Sequence, residues 1–239
     1  MAQANWRQPL QDFQAWIWRE RVTGSQDDYT AGLEDFIPAG EVAAYLRQPG
    51  KLTGILTALF GDNRDHIDPR QLLNRYSVVF AILVSIDHGQ YIGNFTPHDA
   101  LCDARLPFTE RPKRFPLDQG SSNLFYERFA TAQARFCAPK FTEGHCEFEA
   151  EERLPFLEKE FIDDGGSAKV YRVKLHAEHD LIHRPQSSVA SASTEGQIVL
   201  QLTLLSLSRR NATGSTPSRL ILAKMGRDGT VSRPQPSGS

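Results

Sequence analysis

Residues Leu154-Pro-Phe-Leu-Glu-Lys-Glu-Phe-Ile-Asp-Asp-Gly-Gly-Ser-Ala-Lys-Val-Tyr-Arg-Val-Lys-Leu-His176 decide the fold, because the hydrophobic pattern changes period within them. Leu154 to Ile162 is a short apolar-rich segment. A turn follows at Asp163-Asp164-Gly165-Gly166-Ser167. Ala168 to Leu175 then alternates, with Tyr171, Val173 and Leu175 on one face and Val170, Arg172 and Lys174 on the other. A period of two on both sides of a glycine-containing turn predicts a β-hairpin.

Upstream the period is that of a helix. Leu52, Ile55, Leu56, Leu59 and Phe60 form one stripe, and Phe125, Phe129, Ala132 and Phe136 another. Leu72, Leu73, Tyr76, Val79, Phe80 and Leu83 extend a 3.6-residue period over three turns, and Leu10, Phe13 and Ile17 make a weaker stripe near the start. Residues 105–120, with Pro107, Pro112 and Pro116, read as an extended connector. Downstream, Ile198 to Leu207 predicts one further strand. From Ser208 onward Ser, Gly, Thr, Pro and Arg dominate, a composition too poor in apolar surface to offset the entropy of ordering. The expected class is α+β: a helical region over 1–140, a small β-hairpin piece over 150–205, and a disordered basic tail over 206–239.

Charge follows the same division. The chain has 239 residues and a formal charge of −2. Residues 206–239 hold six basic side chains with Asp228 as the one acid, so they carry +5 and the remainder −7. The longest apolar run, Val78 to Ile86, is far short of the roughly 20 residues that span a bilayer. No basic segment followed by an apolar stretch opens the chain, so a signal peptide is not expected. Cys102, Cys137 and Cys146 are widely spaced and odd in number, which gives neither a disulfide framework nor a zinc pattern. The expected class is an intracellular protein, cytoplasmic or nuclear, without a membrane segment.

The 154–176 stretch resembles the opening of a protein kinase domain, where two strands flank a loop of the form G-x-G-x-x-G-x-V. The likeness extends to fungal protein kinase-like proteins. It covers roughly residues 70–200 and draws in Leu106-Pro107-Phe108 and Phe136-Cys137-Ala138-Pro139-Lys140-Phe141, which look like that family's region before the kinase domain. The resemblance implies a partial kinase N-lobe over 150–205, a loop that takes ATP with magnesium, and a family activity of phosphoryl transfer to Ser or Thr of a protein. The positions matching the nucleotide loop are Gly165, Gly166, Ala168 and Val170. Aligned on Val170, the three glycine positions fall on Asp163, Gly165 and Ala168, so only the middle one is glycine. Glycine there lets the backbone approach the phosphates. Asp163 instead sets a negative charge near them, and Ala168 adds a methyl group.

Other parts of phosphoryl-transfer machinery are absent from the sequence. There is no His-Arg-Asp with a downstream Asn, no Asp-Phe-Gly and no Ala-Pro-Glu. His183-Arg184-Pro185 departs from the first of these at its third residue. Leu220-Ile221-Leu222-Ala223-Lys224 resembles the strand that ends in the phosphate-pairing lysine, but it lies 59 residues beyond Gly165, and Met225-Gly-Arg-Asp-Gly-Thr230 cannot start the helix that would carry its glutamate partner. The chain is therefore expected to be non-catalytic, with residues after about 200 foreign to the family through altered splicing, a frameshift or an early stop. The alternative is that residues 1–140 form a helical protein-interaction module without nucleotide binding.

Other clusters have plainer readings. His176, His179 and His183 have the spacing of a helix face, yet no Cys lies near them to complete a zinc set, so a polar loop is expected rather than a metal site. Glu147, Glu149, Glu151, Glu152, Glu158 and Glu160 predict a solvated face rather than an acid–base pair. Trp6, Trp16 and Trp18 are expected to pack the first helix, with a partner surface as the alternative. The basic tail has scattered charges and no interleaved aromatics, so nucleic acid is not an expected partner.

Overall fold

A computed structural model of the chain describes residues 6–23, 35–116, 122–142, 145–149, 152–164, 169–182, 197–205 and 219–224. They divide into two compact units. One is built from the described residues up to Val22 and from Asp35 to Ala138, the other from Thr23 and the described residues from Pro139 onward.

The first unit is helical, as the 3.6-residue stripes predict. Helix α1 (Gln8–Arg19) buries Phe13, Trp16 and Ile17, and α3 (Lys51–Phe60) buries Leu52, Ile55 and Leu56. Helix α2 (Ala39–Arg47) was not anticipated. Its Val42, Tyr45 and Leu46 are buried at i, i+3 and i+4, with Glu41 in the first turn and Arg47 in the last, where each charge suits the helix dipole.

The stripe from Leu72 to Leu83 does not form one helix. It divides into α4 (Pro69–Arg75) and α5 (Ser77–Ser85), and Tyr76 sits at the break with φ −138°. Two side-chain anchors explain the division. The buried Tyr76 hydroxyl donates to the His98 carbonyl at 3.1 Å. The Asp103 carboxylate accepts from the backbone N–H groups of Val78 (3.1 Å) and Val79 (2.9 Å) and from the Ser77 hydroxyl (3.2 Å), so a helix can start at Ser77 with its first donors satisfied. Every residue from Ser77 to Val84 is buried, which makes α5 the central helix of the unit.

Short 3-10 turns and α6 (Ile92–Phe95) lead to the connector and then to α7 (Ser122–Gln133). Buried Gln133 pins the connector at both backbone groups of Phe108: its Oε1 accepts from the N–H and its Nε2 donates to the carbonyl, each at 2.9 Å. Phe95, Phe108, Phe115 and Phe129 pack there with centroid spacings of 5.3 to 6.5 Å. Over residues 106–116 the connector forms neither helix nor strand but bends and a turn in which the Phe115 N–H donates to the Pro112 carbonyl at 2.9 Å, and it contributes two core rings.

The second unit is an antiparallel five-stranded sheet: β1 (His145–Glu149), β2 (Phe156–Asp164), β3 (Lys169–Leu175), β4 (Gln197–Leu205) and β5 (Arg219–Lys224), in the spatial order β1-β5-β4-β3-β2. The expected hairpin is the β2–β3 pair. Tyr171, Val173 and Leu175 are buried, as the alternation predicts. Two elements extend it beyond the expected small piece. Strand β1 occupies part of the acidic run. Within the stretch whose composition predicted no structure, Arg219–Lys224 forms β5, because Leu220-Ile221-Leu222 suits a strand that has a neighbour on each side. Residues 206–218 and 225–239 lie outside the described residues.

Candidate functional site

The sequence places its candidate site at the turn of the β2–β3 hairpin. The two strands pair from Phe156↔Leu175 to Asp164↔Lys169, with register irregularities between Phe156 and Glu158 and between Phe161 and Asp163. The pairing is held from both faces. Arg172 meets Glu160 at 2.6 Å and Lys174 meets Glu158 at 3.4 Å, while Phe161 stands edge-on to the Tyr171 ring at 5.7 Å and the Lys159 ammonium lies 4.3 Å from that ring's centroid. Opposite charges and aromatic pairs facing one another across a ladder stabilise it and fix its register. Glu158 and Glu160 are thus exposed cross-strand partners, as a solvated face implies.

Val170 lies on β3, in register with Asp163 of β2 and Gln201 of β4. Gly165, Gly166 and Ala168 lie outside the described residues, as does Ser167. The last described pair brackets them, so a four-residue connection joins two antiparallel strands. Lys224 ends β5 in register with Leu200, and Leu200 is in register with Tyr171. The lysine position is therefore separated from β3 by a whole strand, roughly 10 Å between backbones at the usual spacing.

Of the three histidines, His176 and His179 lie within the described residues. His179 is buried, and its Nδ1 lies 3.1 Å from the Pro139 carbonyl, which can only accept, so this nitrogen carries the proton. The His176 ring is edge-on to it at 5.8 Å. Burial pushes the His179 pKa down; the Pro139 bond and Glu178 act against that shift, and His176 and Lys140 add to it. His183 lies outside the described residues. Among the described residues no group of three or more His, Cys, Asp or Glu side chains could hold a metal ion.

The tryptophans part company. Trp16 is buried against Tyr45 and Phe13, but Trp6 is 61% and Trp18 57% exposed, so core packing holds for Trp16 alone. Trp18 has the Arg21 guanidinium 4.2 Å from its ring centroid and that of Arg135 at 5.4 Å; Trp6 has Arg7 at 4.6 Å. A depression of about 330 Å³ adjoins Trp18, lined also by Gln14, Ser85, Asp87 and Arg135. Asp87 has a left-handed backbone, φ 62°, and its carboxylate accepts from Gln14 Nε2 at 2.8 Å. Sequence reasoning missed this cluster, since its members come from α1, the end of α5 and the end of α7, with no local spacing to join them. The free thiol of Cys137 is pushed up to about 12, mainly by burial, so it is protonated and chemically quiet at neutral pH.

No protein-family model matches the chain, and no curated protein and no solved structure is similar to it. No helix among the described residues is long and apolar enough to cross a membrane.

Proposed function

We propose that the chain is the N-terminal part of a protein kinase-like protein, in which a helical region precedes a strand–loop–strand element that contacts ATP with magnesium. Phosphorylation of protein Ser or Thr is the activity of the family it resembles, and no residue of this chain is assigned a catalytic role. One observation carries the reading: β2 and β3 pair in antiparallel register on both sides of the four-residue Gly165–Ala168 connection, the context that a glycine-rich nucleotide loop requires. The loop residues Gly165, Gly166 and Ala168, followed by Val170, are the positions that would face nucleotide. The reading goes with a cytoplasmic or nuclear protein, where ATP is abundant.

The test is binding by the whole chain. A nucleotide that binds the native state raises apparent stability by RT ln(1 + [L]/Kd), so millimolar Mg·ATP is expected to raise the unfolding midpoint, and Gly166→Val is expected to abolish the rise. A wild-type midpoint unmoved at 5–10 mM nucleotide, on the order of the weakest useful affinity, sinks the reading. That result would leave the second one, a helical interaction module, favoured by the separate core of the first unit and its exposed Trp6 and Trp18.

A further inference from the structure

Residues 139–141 of the second unit are fastened to the chain that leaves β3. The Phe141 N–H donates to the His179 carbonyl at 2.8 Å, and the Leu181 N–H donates back to the Phe141 carbonyl at 3.0 Å, which makes a parallel bridge between Phe141 and Asp180. The side chain of His179 adds the third link, from Nδ1 to the Pro139 carbonyl. Phe141 also packs on Phe156, the first residue of β2, at 5.7 Å, and the His176 N–H reaches the Pro155 carbonyl at 3.0 Å. Segments 139–141, 155–156 and 176–182 are thus held as one clasp at the base of the hairpin.

The middle of this clasp is a histidine 3% exposed. Its neutral form suits the site, because Nδ1–H satisfies Pro139 and no charge is buried. Its cation would be buried. The charged and titratable groups facing it from the incoming segment and from its own turn are Lys140, His176, Glu178 and Asp180; Phe156, from β2, brings none. Lys140 and a charged His176 oppose an imidazolium, whereas Glu178 favours one. Asp180 accepts from the Ile182 N–H at 3.0 Å and so is held by its own turn.

We propose that protonation of His179 opens this clasp, releasing residues 139–141 from the turn after β3. It works as a pH-sensitive fastener independent of any nucleotide. The released histidine titrates near the ordinary 6.5. Below that pH the open form takes up the proton and the closed form resists it, so opening grows by up to about tenfold per pH unit until the closed form also protonates.

The experiment is amide hydrogen exchange on the full chain, read by NMR at Phe141 and Leu181 and corrected for the intrinsic pH dependence of exchange. The Leu83 amide in the core of α5 serves as the reference. Protection at Phe141 and Leu181 is expected to fall by up to about fivefold between pH 6.5 and 5.5 while Leu83 holds. In His179→Asn, whose side-chain amide still offers a neutral donor, the two amides are expected to show no such fall. A wild-type profile that stays flat, or an equal fall in the variant, overturns the proposal. If the variant does not fold, the wild-type His179 ring is titrated directly by NMR. A ring midpoint at the lower end of the pH range over which protection is lost supports the fastener, and a ring that titrates without any loss overturns it.

Discussion

Replacing Asp103 by alanine removes the only described acceptor for the two backbone donors that begin α5. The carboxylate takes bonds from Val78 N–H, Val79 N–H and the Ser77 hydroxyl, in a setting where Ser77 and Val79 are buried. A buried donor left unmet costs roughly 1–3 kcal/mol, and the hydroxyl can turn elsewhere, so two stranded N–H groups set the loss at about 2–6 kcal/mol. Asn keeps one oxygen for them and is expected to lose about half as much. The measurement is urea unfolding followed by tryptophan fluorescence, which reports the first unit alone because Trp6, Trp16 and Trp18 all precede Val22. A midpoint drop at unchanged slope gives the free energy. A loss below about 1 kcal/mol would mean that water replaces the carboxylate at little cost, and the account of why the stripe splits at Tyr76 would fail. The pH dependence supplies a second check. Burial raises the Asp103 pKa above 3.8 against the pull of its three donors. The native state therefore binds more protons than the unfolded one just above pH 3.8. This group's contribution falls as pH rises through that window and is level above it.

Three further outcomes are expected. Gly89→Ala puts a methyl group 2.9 Å from Leu59 Cδ1 and 3.0 Å from Val84 Cγ2, so the same fluorescence assay should show a loss of about 1–2 kcal/mol, partly recovered in the Leu59→Ala background. Gln133→Ala leaves the buried N–H of Phe108 without its partner and should cost about 1–3 kcal/mol, with faster exchange at that amide; unchanged exchange would show that Gln133 does not hold the connector. Cys137, with its thiol pushed up to about 12, should resist iodoacetamide at pH 8 in the folded chain and react readily in urea, as read by mass spectrometry of its peptide.

The parts of the fold that sequence made plain are those where local period and burial coincide. Helices α1, α3 and α7 and the β2–β3 hairpin all bury one side, and their spacing says so. The break at Tyr76 was illegible because its cause lies 27 residues away, in a carboxylate whose role depends on tertiary contact. Helix α2 was missed because its nine residues carry only three buried side chains. Strand β5 was hidden by its surroundings: six residues of strand composition within a Ser-, Gly- and Arg-rich stretch lower any average taken over them. The candidate site was legible only as a strand–turn–strand pattern. The histidine clasp left no pattern, since its partner is a proline carbonyl forty residues earlier.

The spatial order of the sheet bears on when it can be completed. Strand β1 has one neighbour, and that neighbour is β5. During synthesis β1 emerges 70 residues before the first residue of β5. At roughly 5–20 residues per second that is a wait of about 4–14 seconds with both edges unpaired. The β2–β3 hairpin, whose strands are neighbours in sequence, has no such delay. A nascent chain paused within this interval would carry a formed hairpin and an unmatched His145–Glu149 segment, open to pairing with a neighbouring chain on the same message. The acidic residues of that segment, Glu147 and Glu149, are the kind of charge that discourages such pairing until its own partner arrives.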